Sequence, residues 1–138
     1  MYPSFTSEWH DDTYPDISPS RPELSLAGKR VVVSGGGAGI GRGLTQAFAD
    51  AGATSIAILG RREAMLKETQ YSVASANGSV TITTHVADIT DKKAVDSAAK
   101  EIGQWDVLVC NAGYMPQAAT IANADPEEWW KGYEVGLI

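Results

Sequence analysis

Residues 34–41 read Ser-Gly-Gly-Gly-Ala-Gly-Ile-Gly, and a loop of this composition can bind phosphate through its backbone. A pyrophosphate needs N–H donors at short range, and bulky side chains at the approach points would keep it away. The start of an α-helix supplies such donors and the positive end of the helix dipole. The loop therefore predicts a nucleotide-binding site, with a structural glycine turn as the alternative. A kinase-type P-loop is excluded because no Lys-Ser or Lys-Thr pair follows the glycines.

Two arginines stand about 20 positions beyond these glycines, after the second apolar run of the chain. In sites that prefer NAD, an acidic residue at this point accepts a hydrogen bond from the ribose 2′-hydroxyl. The sequence has Arg61 and Arg62 instead, and its first carboxylate comes at Glu63. Two guanidinium groups can bind a 2′-phosphate, and arginine at a helix N-terminus is otherwise unfavourable. The pair favours NADP(H) over NAD(H), with a solvated helix start as the alternative.

The glycines and the arginines follow apolar runs that alternate with helix-like segments. Runs typical of buried parallel strands occupy residues 29–34, 54–59, 80–86 and 105–110, and a last helix is expected after its N-cap, Asp125. Strands that alternate with helices indicate βαβ units with right-handed crossovers. The predicted fold class is therefore α/β: a partial Rossmann fold, in which a doubly wound parallel sheet of about four strands has the order 3-2-1-4 and helices on both faces.

The predicted helices have apolar faces and recognisable ends. The first helix has its apolar face at Ile40, Leu44, Ala47, Phe48 and Ala51. Gly52 is expected to end this helix, and either Gly41 or Gly43 is expected to let it pack close to the first strand. The second helix spans residues 62–75, with an apolar face at Met65, Leu66, Thr69 and Val73. Thr90 and Asp91 are predicted to cap the third helix.

The remaining composition bounds the kind of protein. Residues 1–24 contain four prolines and predict an irregular N-terminal arm, and residues 25–138 predict a Rossmann domain that is incomplete at its C-terminus. The net charge of −6 comes with scattered Lys and Arg, which excludes broad binding to nucleic acid or anionic membranes. The single cysteine, Cys110, is expected to be buried and inert and fits a reducing compartment.

Several further classes of protein are disfavoured. No apolar run approaches the length of a membrane span and no secretory signal is evident, so we predict a cytoplasmic protein. The run His10-Asp11-Asp12 is interpreted as a solvated cluster, and no metal site is expected. An S-adenosylmethionine methyltransferase would need an acidic ribose ligand after the second strand, where this chain has the arginine pair.

Three motifs together resemble the short-chain dehydrogenase/reductase family. Residues 34–41 are similar to that family's Thr-Gly-x-x-x-Gly-Ile-Gly, with serine in place of threonine. Asp88 resembles the aspartate that follows the third strand and contacts the adenine ring. Residues 111–113, Asn-Ala-Gly, resemble the tail of the family's Asn-Asn-Ala-Gly, with Cys110 in place of its first asparagine. The resemblance covers about residues 24–135, and the Pro-containing entry segment before it, residues 20–24 (Ser-Arg-Pro-Glu-Leu), is similar to that of fungal members.

The resemblance implies a nicotinamide dinucleotide as the bound partner. NADP is the expected cofactor, NAD is less favoured, and a homo-oligomeric full-length parent is implied. In this resemblance the glycine loop lines the pyrophosphate, the arginines face the adenosine phosphate, Asp88 and Ile89 flank the adenine, and residues 111–113 lie along the ribose. The predicted cofactor-binding residues are Gly35, Gly37, Ala38, Gly39, Ile40, Gly41, Arg61, Arg62, Asp88, Ile89, Asn111, Ala112 and Gly113.

The family's catalytic serine and Tyr-x-x-x-Lys pair are not found in the chain. Tyr71, Tyr114 and Tyr133 are followed four residues later by Ser, Ala and Leu, and Gly136 stands where the resemblance expects a catalytic asparagine. We expect a C-terminally truncated, catalytically incomplete portion of an alcohol/carbonyl oxidoreductase. Whether a gene model or a genuine stop causes the truncation stays open, and an inactive nucleotide-binding module is the alternative. With an uncharged edge strand, the isolated chain is expected to be poorly soluble or marginally folded.

Overall fold

The structure is a computed structural model that describes residues 8–137, so the first seven residues of the predicted arm and Ile138 lie outside it. Within residues 8–24 the regular structure consists of two single-turn 3₁₀ helices, Pro15–Ile17 and Pro22–Leu24. Each begins at a proline, whose fixed φ suits the first turn of a helix and whose missing N–H would be unpaired there in any case.

The main body of the described chain is a four-stranded parallel sheet with four α-helices. The strands are β1 (Arg30–Ser34), β2 (Ser55–Gly60), β3 (Thr81–Val86) and β4 (Val107–Val109), and the helices are α1 (Gly39–Asp50), α2 (Glu63–Ala76), α3 (Lys92–Ile102) and α4 (Pro126–Leu137). The order β3-β2-β1-β4 confirms the predicted topology. Because all the pairings are parallel, the loops that leave the four strands share one edge of the sheet.

The sheet has a packed layer on each face, which confirms the prediction of helices on both faces. One layer combines alternate strand residues such as Val33 and Ile58 with Leu66 of α2. The opposite layer combines the intervening strand residues, among them Val32, with Ala98 of α3. β1 and β2 are thus buried on both sides, which accounts for their nearly continuous apolar sequence.

The predicted apolar face of α1 is wrong at its first residue. Ile40 is 78% exposed, and the buried residues of the helix are Gly41, Thr45 and Ala49. These three small residues, spaced four apart, let the helix lie close to the sheet. The Thr45 hydroxyl makes a 2.8 Å hydrogen bond to the Gly41 carbonyl, so a polar residue is accommodated on the buried face.

The fourth strand is shorter than predicted, covering three residues of the expected run 105–110. Asp106 lies just before it, where its N–H donates to the Arg30 carbonyl at 2.9 Å and its carboxylate accepts from the Arg30 N–H at 2.8 Å. The carboxylate therefore takes the place of the backbone carbonyl that would otherwise accept this hydrogen bond from β1. Cys110 follows the strand and is exposed, so the expected buried thiol is wrong.

Helix α3 offers a direct test of the predicted cap. The Asp91 carboxylate accepts hydrogen bonds from the N–H groups of Lys93 and Ala94, at 2.9 and 3.3 Å. Replacement of Asp91 by alanine is expected to lower the free energy of unfolding by about 1 kcal/mol in urea denaturation. Asp96→Ala is the control: it removes an exposed ion pair with Lys92 on the same helix and should cost no more than about 0.5 kcal/mol. Equal losses for the two variants would contradict the capping role.

Candidate nucleotide-binding site

A cleft of about 350 Å³ lies at the carboxyl edge of the sheet, and loops after all four strands line it. Of the thirteen predicted site residues it brings together twelve, which are Gly35, Gly37, Ala38, Ile40, Gly41, Arg61, Arg62, Asp88, Ile89, Asn111, Ala112 and Gly113. Gly39 is the one that does not line it. Residues that the sequence analysis did not assign complete the wall: Gly60, Met65, Leu66, Ala87 and Val135.

The loop between β1 and α1 forms one wall of the cleft. Ala38 is the N-cap of α1, and alanine has no polar side chain with which to cap the first-turn N–H groups. These donors, at the positive end of a twelve-residue helix, can therefore serve an anion. Gly39 begins the helix at φ +54°, a left-handed conformation that favours glycine. This conformation sets the path of the backbone at the start of the helix.

Gly41 is the point at which α1 approaches the rest of the site most closely. A Cβ there would lie 2.2 Å from the Gly35 carbonyl oxygen and 2.6 Å from the Asn111 amide nitrogen. A Cβ at Gly43 would meet nothing within 4 Å. Of the two glycines expected to allow close packing, the structure thus identifies Gly41.

Ser34 joins the phosphate loop to the segment after β4. Its hydroxyl donates to the Val109 carbonyl at 3.3 Å and accepts from the N–H groups of Asn111 and Ala112, each at 3.0 Å. In return, the Asn111 amide donates to the Ser34 carbonyl at 2.9 Å. We call this set the Ser34 junction. Sequence reasoning treated Ser34 only as a substitute for threonine, although a hydroxyl at the end of an apolar strand signals such a role.

The opposite wall carries charge of both signs. Arg61 and Arg62 follow β2, and Arg61 Nη1 lies 3.9 Å from Asp88 Oδ2, after β3. The other Asp88 oxygen accepts from the Thr90 N–H at 3.0 Å and from the Thr90 hydroxyl at 2.8 Å. These two hydrogen bonds, and to a lesser extent the Arg61 charge, hold the pKa of Asp88 below its usual range. Asp88 is therefore an ionised acceptor at neutral pH.

A second polar cluster, which sequence reasoning missed, connects the segment after β4 to α4. The Tyr114 hydroxyl donates to Glu128, which also accepts from Lys131 Nζ at 2.6 Å. The hydrogen bond to Glu128 raises the pKa of the Tyr114 phenol, so it stays neutral at physiological pH. Close by, a Cβ at Gly132 would lie 2.9 Å from Pro116, which shows how tightly this segment packs on the helix. Asp125 accepts from the Glu127 N–H at 2.9 Å, which confirms the predicted helix start.

The described residues were also compared with the requirements of a metal site and of a membrane-spanning helix. Within residues 8–137, no group of three or more His, Cys, Asp or Glu side chains is arranged to hold a metal ion. No helix in that same range has both the length and the apolar character needed to cross a bilayer.

Comparison with known proteins gives a consistent result. The family model described as short chain dehydrogenase matches residues 29–137. The chain is 39% identical over 136 residues to the short chain dehydrogenase tazN of Aspergillus terreus, covering 96% of this chain and 29% of that one. It is 38% identical over 139 residues to the short chain dehydrogenase pigC of Monascus ruber, covering 96% and 45%. Both relatives are fungal, as the entry segment suggested, and the chain spans less than half of either.

Solved structures agree in fold and cover similar shares. A 3-oxoacyl-[acyl-carrier protein] reductase from Brucella melitensis with bound NAD has a TM-score of 0.78 at 26% identity, over 93% of this chain and 49% of that one. L-sorbose reductase from Gluconobacter frateurii, complexed with NADPH and L-sorbose, has a TM-score of 0.71 at 30% identity, over 80% and 43%. The parallel sheet, the glycine loop and the family match over residues 29–137 agree. The chain belongs to the short-chain dehydrogenase/reductase family of oxidoreductases.

Proposed function

We propose that this chain binds NADP(H) in the cleft and is the cofactor-binding portion of an oxidoreductase that acts on an alcohol or carbonyl. The observation that carries the proposal is the presence of two separate anion-binding features in one cleft. The uncapped start of α1 is one of them, and the Arg61–Arg62 pair is the other. The first would bind the pyrophosphate and the second the 2′-phosphate of NADP(H). NAD(H) has the pyrophosphate but lacks the 2′-phosphate.

The residues of the cleft fit a dinucleotide. The first-turn N–H groups of α1 would hold the pyrophosphate, and the two guanidinium groups would bind the 2′-phosphate. Asp88 and Ile89 would flank the adenine, and residues 111–113 would run along the ribose. A cavity of about 350 Å³ at the carboxyl edge of the sheet suits a ligand that lies along that edge.

The bound nicotinamide would supply or accept the hydride that an alcohol and its carbonyl exchange. The described residues bind and orient the dinucleotide, and none forms a Tyr-x-x-x-Lys pair within this sequence. The neutral Tyr114 is held by Glu128, so we assign it no proton-transfer role. An inactive nucleotide-binding module is therefore the second candidate. NADPH binding without NADPH consumption across a panel of carbonyl compounds supports the module, and consumption excludes it.

Three further proposals concern the domain boundary, the cellular location and the oligomeric state. We propose that residues 25–138 are the binding unit and residues 1–24 an arm. The single cysteine fits a reducing compartment and supports a cytoplasmic location. Membership of the family supports a homo-oligomeric parent protein.

The arginine pair provides the decisive test of the proposed cofactor. In the double variant Arg61→Gln, Arg62→Gln, the affinity for NADPH is expected to fall about tenfold or more, since charge-assisted hydrogen bonds to phosphate are lost. The affinity for NADH, which lacks the 2′-phosphate, should change by less than about twofold. Fluorescence titration of both cofactors measures the two dissociation constants.

Arg30→Gln is the matched control for this experiment. Arg30 lies at the amino end of β1, on the edge of the sheet away from the cleft, so its loss should leave both affinities unchanged. An equal drop for NADPH and NADH in the double variant would contradict binding of the 2′-phosphate by the arginines. Absence of any dinucleotide binding by the unmodified chain would overturn the proposed function itself.

A further inference from the structure

The two oxygens of Asp88 have different partners. Oδ1 accepts both hydrogen bonds from Thr90, at 3.0 and 2.8 Å. Oδ2 is left facing Arg61, with Nη1 at 3.9 Å. Because Thr90 fixes the first oxygen, the second is held in a defined position on the cleft wall. The carboxylate is thus an oriented anion within reach of one of the two arginines.

The neighbouring arginines consequently differ in electrostatic environment. Arg61 shares its charge with Asp88 across the cleft wall. In the part of the chain that the structure describes, no ion pair or side-chain hydrogen bond joins Arg62 to another residue. Both guanidinium groups are exposed and both residues line the cleft. The charge of Arg62 is therefore uncompensated, whereas that of Arg61 is partly neutralised.

We infer that Asp88 is a specificity-determining residue that competes with the 2′-phosphate of a ligand for the Arg61 guanidinium. The inference rests on the proposed function. A 2′-phosphate that enters the cleft draws Arg61 away from Asp88. This exchange costs part of the binding free energy of the phosphate, and Arg62 contributes without such a cost. Asp88 thereby keeps the preference for phosphorylated adenosine below the value that the two arginines alone would give.

The ratio of affinities for two small ligands isolates this effect. Adenosine 2′,5′-bisphosphate and adenosine 5′-monophosphate differ only in the 2′-phosphate, and displacement of NADPH fluorescence measures both dissociation constants. Asp88→Asn keeps an oxygen for Thr90 and removes the charge. Any lost base contact weakens both ligands alike and cancels in the ratio. The preference for the bisphosphate is expected to rise about two- to fivefold, the range of an exposed ion pair, and to shrink at high ionic strength.

Variants in a second background separate competition from simple repulsion. In Arg61→Gln, the further change Asp88→Asn should leave the ratio unchanged, because the contested guanidinium is gone. Asp96→Asn removes the same charge from the exposed face of α3, outside the cleft, and should not alter the ratio in either background. Asp88→Ser, which also lacks the charge, provides a second route if the asparagine variant folds poorly.

Each outcome has a distinct meaning. A higher ratio in Asp88→Asn that disappears without Arg61 supports the competition. An unchanged or lower ratio overturns it, and an equal rise in the Arg61→Gln background shows that Asp88 acts on the phosphate directly, which also overturns it. In both of these cases the proposed function stands, provided that the unmodified chain prefers the bisphosphate. If the unmodified chain binds both nucleotides equally or not at all, the proposed NADP(H) site fails and the inference fails with it.

Discussion

Replacement of Gly41 by alanine is expected to abolish nucleotide binding and to destabilise the fold by about 3 kcal/mol. The added Cβ would lie 2.2 Å from the Gly35 carbonyl oxygen and 2.6 Å from the Asn111 amide nitrogen. Neither neighbour can easily move aside, because the first is a backbone atom and the second, the Asn111 side-chain amide, is held by its hydrogen bond to the Ser34 carbonyl. Relief requires α1 to move away from the phosphate loop. Urea unfolding and NADPH titration measure the two effects.

Gly43→Ala is a closely matched control, two residues further along the same helix. Its Cβ would meet nothing within 4 Å, and alanine is the better helix former. This variant should therefore be more stable than the unmodified chain by about 0.5–1 kcal/mol, with unchanged affinity for NADPH. If the two alanine variants unfolded at the same urea concentration, the close approach at Gly41 would not contribute to the stability of the fold.

Loss of the Ser34 hydroxyl is the second change with a large expected effect. In Ser34→Ala the Ala112 N–H loses its acceptor, and the Asn111 N–H keeps only its 3.1 Å hydrogen bond to the Val109 carbonyl. Ser34 itself is buried. Loss of the acceptor of one partly buried N–H group costs about 1–3 kcal/mol, so the free energy of unfolding should fall by about 1–3 kcal/mol. NADPH affinity should fall as well, because these residues form a wall of the cleft.

Ser34→Thr separates the hydroxyl from the volume of the side chain at this position. Threonine keeps the donor and the acceptor, and it is the residue that the family motif carries there. The threonine variant should stay within about 1 kcal/mol of the unmodified chain in urea unfolding and retain NADPH affinity. A stable alanine variant with full affinity would show that the Ser34 junction is dispensable.

Much of this fold was predictable because its signals are local. A strand buried on both faces reads as a continuous apolar run, and Asp91 and Asp125 mark helix starts by their own side chains. The order of the strands then follows from the Rossmann arrangement that such right-handed βαβ units adopt. The site residues follow in turn, since each motif stands directly after a strand and parallel strands bring those points to one edge.

What the sequence could not predict depends on contacts between distant segments. Apolar spacing placed Ile40 on the buried face of α1, but small residues allow closer approach to the sheet and leave Ile40 at the cleft. The side chain of Asp106 shortens β4 through a partner 76 residues away. Likewise, the link between Tyr114 and Glu128 depends on how α4 lies against the segment after β4. No periodicity within a window of the sequence encodes such pairings.

The Ser34 junction affects the local stability of the edge strand β4. It ties together two segments 77 residues apart, and the loop between them must close before the wall at residues 111–113 exists. Within residues 8–137, β4 is three residues long and pairs only with β1, so local opening at this edge needs less free energy than opening of β1 or β2. A dinucleotide that contacts both walls binds only the closed form. By mass action its binding free energy would be added to the stability of β4, so the ligand would act as a structural clamp on the weakest strand of the sheet.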